Sequence, residues 1–400
     1  MTAVSDAGKT KTMAIRIPGR SQSVEVPGLL VGGNLVATTV DLHGGGVLVT
    51  ESVVGALGWS ESPCSRSTAP EWYFASGSTV HADTLTLSLF NPATTDAVVD
   101  MTFVTPAGVS QPQPFEGIVV APGALVTEHV DAYVQDAASV SSIVQARTGA
   151  VVAAELQTES SGGVRGLSVR LGVPALFPTW SLPRSIDIAG GATSITVFNP
   201  TGRTDRVEVT VRPGGSPAAK FADTVGPRSA WVFDTSGQTR IPAGISFLAT
   251  VLVRSGPGVV VDRTFHAPSS VSGPQFGAVT GLAVGPAELA STIAVLPGPG
   301  TPLHPAVPGA QAQALNVVNP GTTAVRVTVW ALAGARGLVE LGQASVPRAS
   351  AIAVGRSVLS KAGRLPLVVS SDGPVVVLEN LGPTAYEGVV SLAGAGATGL

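Results

Sequence analysis

The chain has 400 residues, a net charge of −3, 12% charged residues, 48 glycines, 31 prolines and one cysteine. That balance excludes an electrostatic case for nucleic acid, and a single cysteine excludes an internal disulfide framework. An apolar share of 44% excludes wholesale disorder, and no apolar run reaches the length needed to span a membrane.

From the N-terminus, Met1 to Arg20 carries Lys9, Lys11, Arg16 and Arg20 with no apolar stretch between them, so it is not a signal peptide as written. Val47 to Glu51 reads as an acid-tipped strand. Residues 1–60 are read as the back half of a repeated unit whose front half is missing. They are expected to lean on the unit that follows, and the missing part is expected to carry an export signal or anchor. Cys64, an odd cysteine, fits a missing partner in an exported protein or else a plain buried thiol.

The next unit opens on Trp72-Tyr73-Phe74, with Trp72 and Phe74 expected on the core side. Leu85, Leu87 and Leu89 alternate with Thr84, Thr86 and Ser88, the period of a half-buried strand. Asn91-Pro92 ends it, because proline cannot donate to a ladder. Val99, Met101 and Phe103 alternate again, and turn signals then divide the chain into about seven strands. Asn-Pro recurs at Asn199 and Asn319, spacings of 108 and 120 residues. After Asn199, Val207, Val209 and Val211 face inward and Glu208 and Arg212 outward; after Asn319, Val325, Val327 and Val329 oppose Arg326 and Thr328. The third unit lacks the opening Trp, starts near Thr292 to Leu296, and carries an insert at 298–305. Short helical turns are expected at Asp131 to Ala138 and Arg356 to Ala362. Gly/Ser/Pro-rich linkers are expected around 159–179 and 267–290.

A period of this length fixes the architecture. The chain is read as all-β: a partial N-terminal β unit and linker (1–66), then three tandem immunoglobulin-like antiparallel β-sandwich units (67–172, 173–282, 283–400). The alternative is a β-propeller with two blades per unit.

Chemistry is sparse. His43, His81, His129, His266 and His304 fall at unrelated positions and lack metal-ligand spacing, so neither metal nor cofactor is expected. Gly394 to Gly399 matches a dinucleotide fingerprint only in letters, since no helix follows it. The best repeated feature is an acid near a strand end: Glu51, Glu155, Asp262 and Glu379. Nearby Arg147, Arg254 and Arg263 favour structural ion pairs over a Ca²⁺ site. Acids placed one per domain are expected to lie too far apart to converge for catalysis. Trp330 shares the polar face of its strand with Arg326 and Thr328 and, with Trp231, is the candidate contact surface.

The run Trp72-Tyr73-Phe74-Ala75-Ser76-Gly77-Ser78-Thr79, the strand to Asn91-Pro92, and the preceding Cys64 and Pro70 resemble uncharacterised exported proteins of actinobacteria. The resemblance covers roughly 40–390 and is most specific in the first unit. It implies an envelope-associated β-repeat protein and transfers no catalytic residues. The expected function is non-enzymatic: an exported or cell-envelope structural, adhesion or assembly module whose partner is an envelope protein or glycan. The alternative is carbohydrate or peptidoglycan binding through exposed aromatics.

Overall fold

A computed structural model describes residues 1–18, 23, 25–43, 49–161, 163–182, 191–213, 217–245, 247–267, 276–283, 293–296, 311–319, 321–348, 350–382 and 388–392. Every strand pairing among these residues is antiparallel. The expected insert at 298–305, and Val47 and Leu48, lie outside them.

Each unit is a pair of sheets sharing one core. In the first unit, Ala97–Thr105 lies between Ile118–Val120 and Ser141–Thr148, and Ser141–Thr148 pairs on its far side with Glu71–Phe74. The facing sheet runs Leu125–His129, Thr84–Phe90, Val152–Glu159, Gly166–Leu171. Leu85, Leu87 and Leu89 of one sheet meet Val99, Met101, Phe103 and Val144 of the other in a single buried cluster. The same order recurs in the second unit, where Ala219–Val225, Asp205–Pro213, Phe247–Ser255 and Thr179–Leu182 face Ser229–Asp234, Ala192–Asn199, Val260–His266 and Phe276–Thr280. It recurs in the third, where Leu338–Val346, Val325–Leu332, Leu367–Ser371 and Ile293–Leu296 face Ser350–Val354, Gln311–Asn319, Val376–Gly382 and Gly388–Leu392.

Tandem sandwiches are therefore present as expected, and no propeller occurs among the described residues: sheets of four or five strands stack face to face instead of radiating. Numbered in chain order within a unit, leaving aside the short strand Gly108–Ser110 of the first, the strand order is 4-3-6-1 on 5-2-7-8. It differs from the immunoglobulin constant order, in which the first strand joins the second and the seventh joins the sixth. The eighth strand was hidden in the stretches read as linkers. Gly166–Leu171 alternates Leu167, Val169 and Leu171 with Ser168 and Arg170, but the Gly- and Ser-rich flanks of that strand and of Phe276–Thr280 read as loop.

The inward alternation holds. Val207, Val209 and Val211 are fully buried, while Glu208 points out to Lys220 and Arg254 at 3.1 and 2.9 Å. Arg356–Leu359 forms the expected helical turn and continues as a 3₁₀ turn to Ala362. Asp131 to Ala138 does not form a helix; only Val130–Ala132 is a 3₁₀ turn, and Asp136 takes φ +52°.

Asn-Pro is more than a stop signal. The Asn91, Asn199 and Asn319 side chains are completely buried. Each Nδ2 donates to the carbonyl four residues on, Thr95, Arg203 and Thr323, at 2.8, 2.6 and 2.7 Å. Each also donates across to Val120, Val225 or Val346, at 2.8, 3.1 and 3.0 Å. Each Oδ1 accepts the amide two residues on, closing an Asx turn. The amide thus pins the bend to the neighbouring sheet. Asn199→Ala strands the buried Val225 carbonyl and is expected to cost about 1–3 kcal/mol in urea unfolding.

The N-terminal residues form a small sheet, Thr10–Thr12, Thr2–Ser5, Val36–Thr39, and then a hairpin, Thr50–Gly55 with Gly58–Pro63. Gly58–Pro63 packs against Gly166–Leu171 of the first unit and Gly388–Leu392 of the third; Phe276–Thr280 touches the same two strands. Four hairpins therefore close a ring. The approach is tight: a Cβ on Gly166 would fall 2.8 Å from the Phe276 backbone nitrogen and oxygen.

Candidate functional site: a buried charge cluster between the first and second units

The repeated acids do not occupy one register. Glu155 stands opposite Leu87, Glu379 opposite Leu315, and the matching position in the second unit, opposite Ile195, is Arg263. Asp262 is one residue out, opposite Thr196. In a strand a slip of one residue reverses the face. Glu155 therefore points into its own unit with the core leucines, while Asp262 points out of the second unit, towards the first.

Arg170, opposite Glu155 on the adjacent strand, joins the two. Its Nη2 donates to Glu155 Oε1 and, at 2.7 Å, to the Ser76 carbonyl. Its Nη1 donates to Asp262 Oδ2 at 2.9 Å and to Ser76 Oγ at 2.7 Å. Asp262 Oδ2 also accepts the Ala75 and Ser76 amides, both at 2.9 Å, and the Ser76 hydroxyl at 3.2 Å. Arg170, Glu155 and Asp262 are all buried. Glu155 Oε2, Asp262 Oδ1 and Arg170 Nε have no protein partner among the described residues.

A polar cleft of about 110 Å³ adjoins the cluster, lined by residues including Ser78, Gln157, Arg170, Thr196 and Thr264. It is roomy and polar enough for ordered water. At its mouth His266 Nε2 lies 2.8 Å from Glu159 Oε2, a second bond between the units.

Burial pushes the Glu155 carboxyl up to about 7 against the pull of Arg170, with Asp262 adding to the rise. Burial works against an imidazolium at His266, but the Glu159 carboxylate, with Asp83 behind it, outweighs burial and raises the His266 pKa. Burial likewise lifts the half-buried Glu51 to about 7. Each of these groups holds its proton more tightly folded than unfolded. The stability they contribute is complete below their ordinary values, 4.5 for the glutamates and 6.5 for the histidine, and is lost as pH rises through about 7 and above. The melting temperature is expected to rise as pH falls from about 8 to about 6. His266→Gln should flatten the upper part of that curve.

The cluster can clamp, but it is poorly arranged for acid–base work, since both carboxylates already hold one guanidinium. Among the described residues no three His, Cys, Asp or Glu side chains gather in a way that could hold a metal.

The other sequence candidates are scattered. Glu51 pairs across its hairpin with Ser62. Trp330 is half-buried at a bulge opposite Glu340 and Val368, with its indole N–H donated to Ser370 Oγ at 2.8 Å. Trp231 is half-buried on the same face as Phe233, 5.3 Å from that ring, at the rim of the second core. Arg170, Ser76 and His266 were missed as site residues. The signal for Arg170 was the alternation of Gly166–Leu171 inside an apparent linker; for His266 it was position four after Asp262 on one continuous strand.

No curated protein matches the chain. It is similar to the crystal structure of Thermotoga maritima 1070 at 13% identity and a TM-score of 0.25, covering 27% of this chain and 95% of that one. Residues 50–234, from the N-terminal hairpin through the fifth strand of the second unit, match the family described as "Family of unknown function (DUF5719)".

Proposed function

We infer that this chain is a non-enzymatic assembly module of the cell envelope or the secreted fraction, a stiff β scaffold that holds partners at a set spacing. One observation carries the reading: the charged groups buried between the first two units are spent on each other. Arg170 ties Glu155 of its own unit to Asp262 of the next, and Asp262 caps the chain at Ala75 and Ser76. Such a contact fixes the angle between units, which suits a spacer better than a hinge. Among the described residues no helix is long and apolar enough to cross a membrane.

A test follows the natural protein in intact cells of its source. Protease added outside should digest it while a cytosolic marker survives; full protection would overturn the extracytoplasmic reading. A second reading, glycan binding, has one observation in its favour, the half-buried Trp330 ring on the outer face of its sheet. Retention on a glycan array that is lost in a folded Trp330→Ala variant would move that reading ahead.

A further inference from the structure

The seventh strand of every sandwich is central. Val152–Glu159 bonds Gly166–Leu171 on one side and Thr84–Phe90 on the other. Val260–His266 lies between Phe276–Thr280 and Ala192–Asn199, and Val376–Gly382 between Gly388–Leu392 and Gln311–Asn319. The N-terminal hairpin occupies the fourth place in the ring of hairpins, yet among the described residues Thr50–Gly55 pairs only with Gly58–Pro63. Among the described residues its other edge carries no strand.

Exposure agrees with the pairing. Ala153, Glu155 and Gln157 are buried beneath their sandwich, whereas Glu51, Ser52, Val53 and Val54 are half-buried and Gly55 is exposed. Of the usual edge guards the strand carries one charge, Glu51. Thr50-Glu51-Ser52-Val53-Val54-Gly55 contains no proline and no lysine, while the edge strand Thr10–Thr12 carries Lys11. The hairpin is tied to the first unit where Val169 N donates to Ser60 Oγ at 3.0 Å.

We propose that the outer edge of Thr50–Gly55 accepts an antiparallel β-strand from a partner polypeptide. The occupant is an extended segment with an apolar residue at every second position, ending in Asn-Pro. Three interfaces within this chain show that occupant on the equivalent edge: Thr84–Phe90, Ala192–Asn199 and Gln311–Asn319. A second copy of this chain is the wrong source, because each of those strands is already paired on both edges. Backbone hydrogen bonds supply the affinity, and the alternate apolar side chains cover Val53 or Val54. The contact gives the assembly reading its docking surface and rests on that reading.

The test uses the full chain and a fluorescein-labelled peptide with the sequence of residues 192–200. Saturable binding is expected by anisotropy, together with slowed amide exchange at residues 50–55. The same peptide N-methylated at alternate residues keeps its side chains but loses donors. It should bind about tenfold more weakly or worse. Absence of saturable binding, equal binding of the methylated peptide, or binding that leaves exchange at residues 50–55 unchanged would each overturn the proposal. None of those results bears on the stiffness between units, which distance measurements read separately.

Discussion

Arg170→Met is expected to lower stability by about 3–5 kcal/mol, because it leaves two buried carboxylates, Glu155 and Asp262, without their shared cation. The loss should come from both sides of the contact. The first unit keeps an acid beneath its sheet, and the second presents a carboxylate to a surface that no longer neutralises it. Neutralising the acids as well, in Arg170→Met with Glu155→Gln and Asp262→Asn, should return much of the stability, since the cost lies in the unpaired charge more than in the absent pair. Urea unfolding of the single and triple variants checks both statements. A single variant as stable as the parent would show that the cluster is solvated and contributes no clamp.

Trp72→Ala should cost about 3–5 kcal/mol. The ring is buried in the first core, and its Nε1 donates to the Val151 carbonyl at 2.8 Å. Trp180 repeats the arrangement at the Val259 carbonyl, 3.0 Å away. In both units the opening Trp therefore holds the start of the seventh strand, so truncation removes packing and also strands a buried carbonyl. Trp330→Ala offers the contrast. That ring is half-buried and its indole N–H is donated to Ser370 Oγ, and its removal should cost about 1 kcal/mol. Equal losses at the two tryptophans would mean that Trp330 also serves as a core residue.

What could be read from the sequence was whatever repeats with a period. Leu85, Leu87 and Leu89, the valines after Asn199 and Asn319, and the Asn-Pro spacing placed three two-layered sandwiches without any tertiary information. Register was beyond reach. Glu155 and Asp262 look equivalent by letter, and only pairing with Leu87 and Thr196 reveals that they face opposite ways. The cluster they build was out of sight for the same reason: it draws on Ser76, Arg170 and Asp262, which lie far apart in the chain. Arg170 was concealed further because its strand is short and flanked by Gly162, Gly163 and Gly172. Residues 1–60 read as half a unit, but the hairpin's place in a ring with the third unit depends on contacts that no local pattern encodes.

The most direct test of a stiff scaffold is the distance distribution between the first two units. Spin labels at Ser110→Cys and Thr224→Cys, both exposed positions, in a Cys64→Ser background report it by double electron–electron resonance. One narrow distribution is expected in the parent, with broadening when Arg170→Met is added. A broad or multiply peaked distribution in the parent would contradict a fixed angle between units, and with it the scaffold reading.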